Sequence, residues 1–464
     1  MQIFKSNIWF IAVAILFAFL SFPLIDVPFY WDEIWVYAPA LTEMAEIGPT
    51  LLPGVLDAEL SRGHPLLFHF LGGVFINLFG DELTTFRLYA LLISGSTLLA
   101  TWLISKKLTN NYGAISICAL LAVQNIFRAQ SVLILPEMML TLWGLLACYF
   151  YQEKRYWLMV LFSSFAILTK ESGIIICLAL GIVFLIENRH QIIKFKVPPK
   201  TYLFFFPLIT LGLFFSTQYF KEGWIFFPEH IRYIDTSIGT TANKIQRYFS
   251  NSHIYWGRNS LFIISFFSGI YLLFKKIKIE KKQQTFLWVW LVFGILYHLF
   301  LGVNFFSDRY ILAYIPFLII GTGLLFFIAL QNKSKFVMLL LLLLVPVSLL
   351  VGSKSTISDH TLGFENMARV NKEAIDFVNS NYNKEDKVAC HFLMLSSLRI
   401  PEAKFVKSPY LKASGNFNDG EKIRIFSRME GKEEYLKFKS DTTYFLKKRF
   451  EKESAWVEIY ERKD

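Results

Sequence analysis

Carboxylates that could handle a proton stand next to apolar segments of this 464-residue chain. Asp32 and Glu33 are adjacent and directly follow the first apolar segment. An aspartate here could take a proton from a hydroxyl group, and a neighbouring glutamate could bind a divalent cation. An equally weighted alternative is that Asp32 caps a helix expected over Ile34–Glu46, because aspartate is a frequent N-cap residue. Paired carboxylates beside a membrane are nevertheless often functional.

Two further residues could act as acids or bases. His64 could donate a hydrogen bond to a phosphate, ligate a metal or transfer a proton near neutral pH. It could equally be a surface histidine before Pro65, since proline favours the first turn of a helix. Glu137 stands alone between two apolar segments, where a carboxylate is costly unless it is paired or faces a cavity. Glu137 is therefore the second candidate acid.

Several cations occupy similar positions. Arg128 borders the same short loop as Glu137, and Arg309 begins a later apolar segment. Arginine suits bidentate phosphate binding, although Arg309 could instead reach lipid headgroups. Lys170 and Glu171 meet at the tip of a short apolar hairpin, where a solvated pair of little consequence has equal weight. Glu82 and Arg87 are interpreted as an ordinary interface pair of the same kind.

The elements that position these residues are apolar. Hydrophobic residues make up 54% of the chain and charged residues 18%, whereas about 25% is usual for a soluble domain. The charge is concentrated from Ser353 onward, where 39 of the 83 charged residues lie. This composition excludes a cytosolic enzyme, a disordered regulator and a nucleic-acid-binding module. The four cysteines show neither a disulfide framework nor a zinc pattern.

The apolar pattern predicts a polytopic α-helical membrane protein with about eleven transmembrane helices, because a span needs about 20 apolar residues. The predicted spans are 7–25, 84–105, 113–131, 133–151, 156–170, 172–187, 201–219, 258–275, 285–302, 308–329 and 335–352. Lysine and arginine collect in alternate loops, which places the N-terminus inside and the C-terminus outside. The membrane domain is thus expected over residues 1–352, and a small extracytoplasmic α/β domain over residues 353–464.

Two long loops, at about residues 26–83 and 220–257, fall on the outer side of this topology. Such long connections usually carry function or structure of their own. An apolar stretch at Pro65–Phe79 is too short for a span and predicts a helix at the membrane interface. All candidate acids and cations map to the same outer face, which favours a lipid-phosphate substrate over a cytosolic nucleotide.

Short motifs on this face occur in an order that is typical of one protein family. They are Asp32–Glu33, Tyr37–Ala38, Met44, Gly48, Pro53, His64–Pro65–Leu66, Glu82, Phe86–Arg87–Leu88, Leu135–Pro136–Glu137, Leu168–Thr169–Lys170 and Arg309–Tyr310. With these motifs the membrane region resembles the GT-C glycosyltransferases of the protein mannosyltransferase and lipid A aminoarabinose transferase type. The resemblance is strongest over residues 26–175. It implies a sugar donor carried on a polyprenyl phosphate and no nucleotide cofactor.

The resemblance also implies roles for individual residues. Asp32 would be the catalytic base or orient the acceptor, with Glu33 and Glu137 as further catalytic acids. The residues expected to contact the substrate and its phosphate are Tyr37, His64, Arg128, Lys170, Arg309 and Tyr310. Glu171 stands where the family carries glycine after lysine. Gly63 replaces a metal-binding acid of the aminoarabinose transferases, which leaves a divalent cation possible and its site unknown.

Together these expectations predict that the protein is an inverting glycosyltransferase of the bacterial inner membrane. Its active site would face the periplasm. It would move a hexose or pentose from its polyprenyl-phosphate donor to a lipid, glycan or protein. Alternatives are a flippase or transporter for a lipid-linked sugar, and a polysaccharide ligase or polymerase that uses the same type of donor. The sequence leaves open the sugar, the acceptor, metal dependence, oligomeric state and the fold of the C-terminal domain.

Overall fold

The structure, a computed structural model, describes residues 2–331, 333–351, 356–417 and 420–463. The apolar segments form helices because a helix satisfies its own backbone hydrogen bonds, as a bilayer requires. The longer helices before residue 352 are Gln2–Ser21, Ala38–Ile47, Leu67–Phe79, Leu83–Leu108, Asn111–Ala122, Asn125–Gln130, Pro136–Gln152, Tyr156–Thr169, Ile174–Glu187, Phe206–Glu222, Ile238–His253, Arg258–Lys275, Lys281–Val303, Ile315–Ala329, Ser334–Leu342 and Leu344–Val351.

Four helical stretches among the described residues are long and apolar enough to cross a bilayer. They are Leu83–Leu108, Thr201–Glu222, Lys281–Val303 and Asp308–Ala329. Ile238–His253 and Arg258–Lys275 add a fifth if this pair, bent by 89°, counts as one span. The chain is therefore a multi-pass membrane protein by the composition of its helices, while the number of eleven spans stays a prediction.

Two predicted spans are divided in the structure. The segment at 113–131 ends its first helix at Ala122, Gln124 is extended, and a short helix follows over Asn125–Gln130. Hydropathy does not reveal this break, because the residues on both sides of it are buried. The segment at 335–352 consists of Ser334–Leu342 and Leu344–Val351. The hairpin at 156–187 is a helix pair whose tip is the 3₁₀ turn Glu171–Gly173.

The two ends of the helix bundle contain different sets of polar residues. At one end Lys107 Nζ lies 2.7 Å from Glu153, and the side-chain amide of Gln283 donates to the carbonyl of Leu108 at 2.9 Å. At the other end lie Asp32, Glu137, Lys170 and Arg309, which we call the site end. The basic loops thus meet opposite the candidate site residues. Which end faces the cytoplasm stays a prediction.

The C-terminal region forms a small α/β unit, as the sequence predicts. Its five strands are β1 (Val388–Cys390), β2 (Ala413–Ser414), β3 (Ile423–Ser427), β4 (Tyr444–Lys452) and β5 (Ala455–Arg462), in the order β2-β1-β3-β5-β4. β1 pairs in parallel with β2 and β3, whereas β5 is antiparallel to β3 and β4. Its helices are Gly363–Asn381, Phe392–Arg399 and Lys432–Phe438. The predicted domain boundary at residues 352 and 353 lies outside the described residues.

This unit packs on the site end of the bundle. The Phe392 ring stacks edge-on against Trp35 with centroids 5.2 Å apart, and the Phe364 ring lies 5.9 Å from that of Tyr30. Arg369 donates to Asp26 at 2.7 Å. The C-terminal unit therefore covers the loop that carries Asp32.

Candidate active site

Asp32 directly precedes the π-helix Glu33–Tyr37. Its side chain makes no capping hydrogen bond, so the N-cap alternative is wrong. Instead Oδ2 accepts a hydrogen bond from Nη2 of Arg309 at 2.5 Å. The Asp32 carboxylate therefore contacts Arg309 and does not cap the helix.

Arg309 joins three carboxylates from distant parts of the chain. It lies in the 3₁₀ helix Asp308–Ala313, where it is 6% exposed. Besides Asp32, its Nη1 donates to Asp359 at 2.6 Å and its Nε donates to Glu137 at 3.4 Å. Because each guanidinium nitrogen takes a separate carboxylate, Arg309 fixes the relative positions of all three.

Glu137 and Lys170 form the inner part of this network. Glu137 lies in the first turn of helix Pro136–Gln152 and is 1% exposed. Lys170 Nζ donates to Oε1 of Glu137 at 2.9 Å and lies 4.0 Å from the centre of the Tyr310 ring. Oε2 of Glu137 has no hydrogen-bond partner among the described residues. The predicted acid Glu137 and cation Lys170 thus neutralise each other behind Arg309.

A cavity of about 850 Å³ opens beside this network. Of the predicted site residues, those that line it are Asp32, Tyr37, His64, Arg309 and Tyr310. Its size is within the range of small-molecule sites, about 300–1,000 Å³. Glu137 and Lys170 line a much smaller space next to it, which they share with Tyr310. Acidic and basic residues that are distant in sequence therefore meet at one cavity. Glu137 and Lys170 lie beside it, in the smaller space.

His64 stands on the cavity wall and is paired. Its Nδ1 lies 2.8 Å from Oε2 of Glu171, and its ring lies 5.3 Å from that of His230. Burial alone would raise the pKa of Glu171, but the charge of His64 and its hydrogen bond lower the pKa to about 2. Glu171 is therefore not a solvated tip residue but the partner of His64.

Glu33 and Arg87 depart from their predicted roles. Glu33 is fully buried and does not line the cavity, and both its oxygens accept hydrogen bonds from Arg87, at 2.5 and 3.2 Å. The prediction of an ordinary Glu82–Arg87 interface pair is wrong, because Arg87 is fully buried and pairs with Glu33, while Glu82 is exposed. Glu33 thus holds the chain in place, and the structure gives it no access to a substrate in this cavity.

Arg128, also predicted to bind substrate, lies outside both the cavity and the smaller space beside it. It lies in the short helix Asn125–Gln130, and its charge interacts with Glu365 of the C-terminal unit. Arg128 does not line the cavity.

Sequence reasoning missed Asp359, which lines the cavity and binds Arg309. Burial would raise its pKa, but the charges of Arg309 and His360 hold the pKa of Asp359 well below its usual range. Its backbone carbonyl also accepts a hydrogen bond from Gln130 at 2.7 Å. The sequence signal that could have found Asp359 is its position, because this charged residue lies a few positions after the last predicted span. Arg62 and His230 were also missed, and both line the same wall as His64.

The described residues contain no group of three or more His, Cys, Asp or Glu side chains placed to hold a metal ion. The carboxylates at the cavity are bound to Arg309 instead.

Comparisons with known proteins bear on the fold. Residues 63–214 match the family model described as dolichyl-phosphate-mannose-protein mannosyltransferase, a range that includes His64, Glu137 and Lys170. The whole chain superposes on crystal structures of ArnT from Cupriavidus metallidurans. The GT-C glycosyltransferase fold predicted from the motifs is confirmed.

Two ArnT structures show the extent of this GT-C fold match. The structure bound to undecaprenyl phosphate has a TM-score of 0.56 at 12% identity and covers 98% of each chain. The apo structure has the same TM-score and identity and covers 99% of this chain and 98% of ArnT. No curated protein matches the chain by sequence. At 12% identity this similarity shows the fold alone.

Proposed function

We propose that the protein is a glycosyltransferase that moves a sugar from a polyprenyl-phosphate donor to an acceptor. The observation that carries this proposal is the meeting of Asp32, Arg309 and His64 at one cavity within a GT-C fold. The Asp32 carboxylate can accept a proton from a hydroxyl group, and the basic side chains of Arg309 and His64 can bind a phosphate. The ArnT structure bound to undecaprenyl phosphate supports a lipid phosphate as part of the donor.

The proposed reaction is a direct displacement that inverts the anomeric carbon. The acceptor oxygen attacks this carbon and gives its proton to Asp32, while the bond from the carbon to the phosphate oxygen breaks. The electron pair of that bond leaves with the polyprenyl phosphate. A positioned base of this kind contributes about 10²–10⁴-fold to the rate. Asp32 suits this role because its side chain lines the cavity beside Arg309.

Charge stabilisation of the leaving phosphate falls to Arg309 and His64. Both line the cavity, and preorganised donors at a developing anion contribute about 10²–10³-fold each. Lys170 acts one layer deeper, because its ammonium group neutralises Glu137 and thereby leaves more of the Arg309 charge for the phosphate. Tyr37 and Tyr310 provide aromatic cavity walls that suit the faces of a sugar ring.

The proposed location is the bacterial inner membrane with the cavity on the periplasmic side. The distribution of lysine and arginine over the loops supports this orientation. A flippase is not favoured, because transporters keep their ionisable sites near the bilayer midplane. Here the charged network lies where helices begin and end.

The test measures release of undecaprenyl phosphate from labelled undecaprenyl-phosphate sugars by membranes that contain the full chain. Release reports on catalysis even before the acceptor is known, and the transferred label then identifies the acceptor class. We expect Asp32→Asn to lower release by about 10²–10⁴-fold, because the amide cannot take the proton. Asp376→Asn is the matched control, since Asp376 is an exposed aspartate of helix Gly363–Asn381. Full activity of Asp32→Asn would refute the base assignment, and absence of release by the wild type from every sugar would refute the proposed function.

A further inference from the structure

The turn that carries Arg309 is held by two buried tyrosine hydroxyl groups. Tyr248 lies in helix Ile238–His253 of the second long loop and is fully buried. Tyr297 lies in helix Lys281–Val303 and is 3% exposed. Neither tyrosine lines the cavity of about 850 Å³. The proposed reaction gives these two residues no role, although both contact the segment that contains Arg309.

The hydroxyl group of Tyr248 makes two hydrogen bonds with the backbone of Ser307. It accepts a hydrogen bond from the amide of Ser307 at 2.9 Å and donates one to the carbonyl of Ser307 at 3.2 Å. The same carbonyl also accepts a hydrogen bond from the amide of Tyr310 at 3.1 Å. Tyr248 therefore uses both its donor and an acceptor site to hold the residue two positions before Arg309.

Tyr297 holds the other side of the turn. Its hydroxyl group donates a hydrogen bond to the carbonyl of Tyr310 at 2.8 Å. Tyr297 also lines the smaller space beside Glu137 and Lys170. The backbone before and after Arg309 is thus hydrogen-bonded to tyrosines from two different helices.

The helix of the second long loop binds a third residue of this turn. The side-chain amide of Asn251 donates a hydrogen bond to Oδ1 of Asp308, and Nη2 of Arg247 donates one to Oδ2 at 2.9 Å. Arg247 is exposed, so its ion pair contributes little energy. The bond from Asn251 is partly buried and lies one residue before Arg309, which adds to the hold of the tyrosine hydroxyl group.

The helix that carries Tyr248 is itself fixed in the fold. Arg258 is 1% exposed, and its Nε donates a hydrogen bond to the carbonyl of Asn251 at 3.0 Å, near the end of this helix. Gly302, from the other tyrosine's helix, packs so closely that an added Cβ would lie 2.5 Å from the side chain of Ile245. The two helices therefore pack directly against each other beside the turn.

We infer that Tyr248 and Tyr297 are positioning residues that hold the guanidinium group of Arg309 in the geometry needed to bind the phosphate of the sugar donor. This inference rests on the proposed function. An arginine binds phosphate through a planar fork of N–H groups, so the interaction depends on orientation as well as on charge. A displacement of about 1 Å in such a group can cost about 10²-fold in rate.

A purely structural role for the two hydroxyl groups predicts a different result. Their loss would then lower the stability of the fold, without changing how the guanidinium group of Arg309 interacts with a phosphate. Two residues that act through one another have effects that do not add, whereas independent residues have additive effects. Coupling between each tyrosine and Arg309 therefore separates the two roles.

The experiment measures the affinity of the full chain in detergent for undecaprenyl phosphate, and its unfolding by SDS. Tyr248→Phe and Tyr297→Phe each remove one hydroxyl group and keep the ring. We expect each variant to bind the lipid about 3–10-fold more weakly, which corresponds to the net contribution of one hydrogen bond. Tyr151→Phe is the matched control, because Tyr151 is 3% exposed and donates to Glu187 at 2.8 Å, at the opposite end of the bundle. Its affinity should equal that of the wild type.

The deciding measurement combines each tyrosine variant with Arg309→Lys. Lysine keeps the positive charge but has no planar fork, so little orientation is left for the tyrosines to control. We expect Tyr248→Phe and Tyr297→Phe to weaken binding by less than about twofold in the Arg309→Lys background. If Arg309→Lys does not fold or bind, the tyrosine variants are compared for binding of undecaprenol, which lacks the phosphate. Its affinity should then be the same as in the wild type.

Several outcomes would overturn the inference. Wild-type affinity in Tyr248→Phe or Tyr297→Phe would overturn it for that residue. Equal fold-changes in the wild-type and Arg309→Lys backgrounds would overturn it for both, as would equal losses of affinity for undecaprenyl phosphate and undecaprenol. An equal loss in Tyr151→Phe would show a general effect of a lost buried hydroxyl group and would also overturn it. Failure of the wild type to bind undecaprenyl phosphate would instead overturn the proposed function.

Discussion

The buried pair of Glu33 and Arg87 gives the strongest prediction about the fold. Arg87 Nη1 and Nη2 donate to the two oxygens of Glu33, and the guanidinium also donates to the carbonyls of Val27, Pro28 and Val132. Glu33 in turn accepts from the backbone amide of Ile134 at 2.8 Å. The pair thus ties the segment before Asp32 to the segment before Glu137.

The expected loss of stability follows from the burial of this ion pair. Removal of one partner from a buried ion pair costs about 3–5 kcal/mol, because the other charge stays buried without compensation. Glu33→Gln therefore should lower the free energy of unfolding by about 3–5 kcal/mol, which is about a 10²–10⁴-fold change in the folding equilibrium. Arg87→Lys keeps the charge but loses the planar fork that reaches three carbonyls, so it should be destabilised as well.

The assay combines unfolding of the purified chain by increasing SDS with the undecaprenyl phosphate release assay. We expect both single variants to lose stability and activity together, since they displace Asp32 and Glu137. Glu33→Gln combined with Arg87→Met should cost less than the sum of its single variants, because no buried charge is left unpaired. The exposed pair of Asp26 and Arg369 is the matched control, and Asp26→Asn should change stability by less than about 1 kcal/mol.

One result would refute this reasoning directly. If Glu33→Gln abolished activity while its unfolding remained within about 1 kcal/mol of the wild type, Glu33 would act on the substrate and not on the fold. The sequence-based assignment of Glu33 as a catalytic acid would then be restored.

Two further predictions concern the cavity and the hairpin. Asp359→Asn should tighten binding of undecaprenyl phosphate about tenfold, because a neutral amide competes less with phosphate for Arg309, and a hydrogen bond to a charged group contributes about 1.5–3 kcal/mol. The lowered pKa keeps Asp359 ionised near neutral pH, so the gain should be constant between pH 6 and pH 8. Gly173→Ala should destabilise the chain by about 1–3 kcal/mol and reduce activity, since the added methyl group overlaps the backbone of Ala166 and displaces Lys170 and Glu171.

Their controls are available in the same chain. Asp376→Asn should leave lipid binding unchanged, and weaker binding by Asp359→Asn would show that Asp359 supports the phosphate site. Gly95 has no atom within 4 Å of an added Cβ, so Gly95→Ala isolates the effect of a methyl group in a helix. Equal stability of Gly173→Ala and Gly95→Ala would contradict the close packing of the hairpin tip.

The sequence predicts the site mainly through topology. Asp32, Glu137, Lys170 and Arg309 each border an apolar segment on the same side, and helices of similar length bring such borders to one surface. The polar composition after Ser353 likewise indicates the separate α/β unit, whose longest helix is Gly363–Asn381. These features follow from hydrophobic periodicity, which acts over short stretches of chain.

What the sequence does not predict are contacts between distant segments. Arg87 has a nearby acid in Glu82, yet its partner is Glu33, 54 residues away. Asp359 reaches Arg309 because residues 357–359 line the cavity. The pairing of His64 with Glu171 depends on how two loops pack, which no local pattern encodes.

Under the proposed function, the charge balance around Arg309 links binding of the sugar donor to the state of the base. Asp32, Asp359 and Glu137 bring three negative charges, whereas Arg309 and Lys170 bring two positive ones. Nη1 of Arg309 holds Asp359 and Nη2 holds Asp32, but a phosphate bound bidentately needs both nitrogens. A phosphate that takes this position competes with both aspartates for the charge of Arg309. Under the proposed function, a weaker contact between Arg309 and Asp32 makes the Asp32 carboxylate a better proton acceptor when the leaving group is in place.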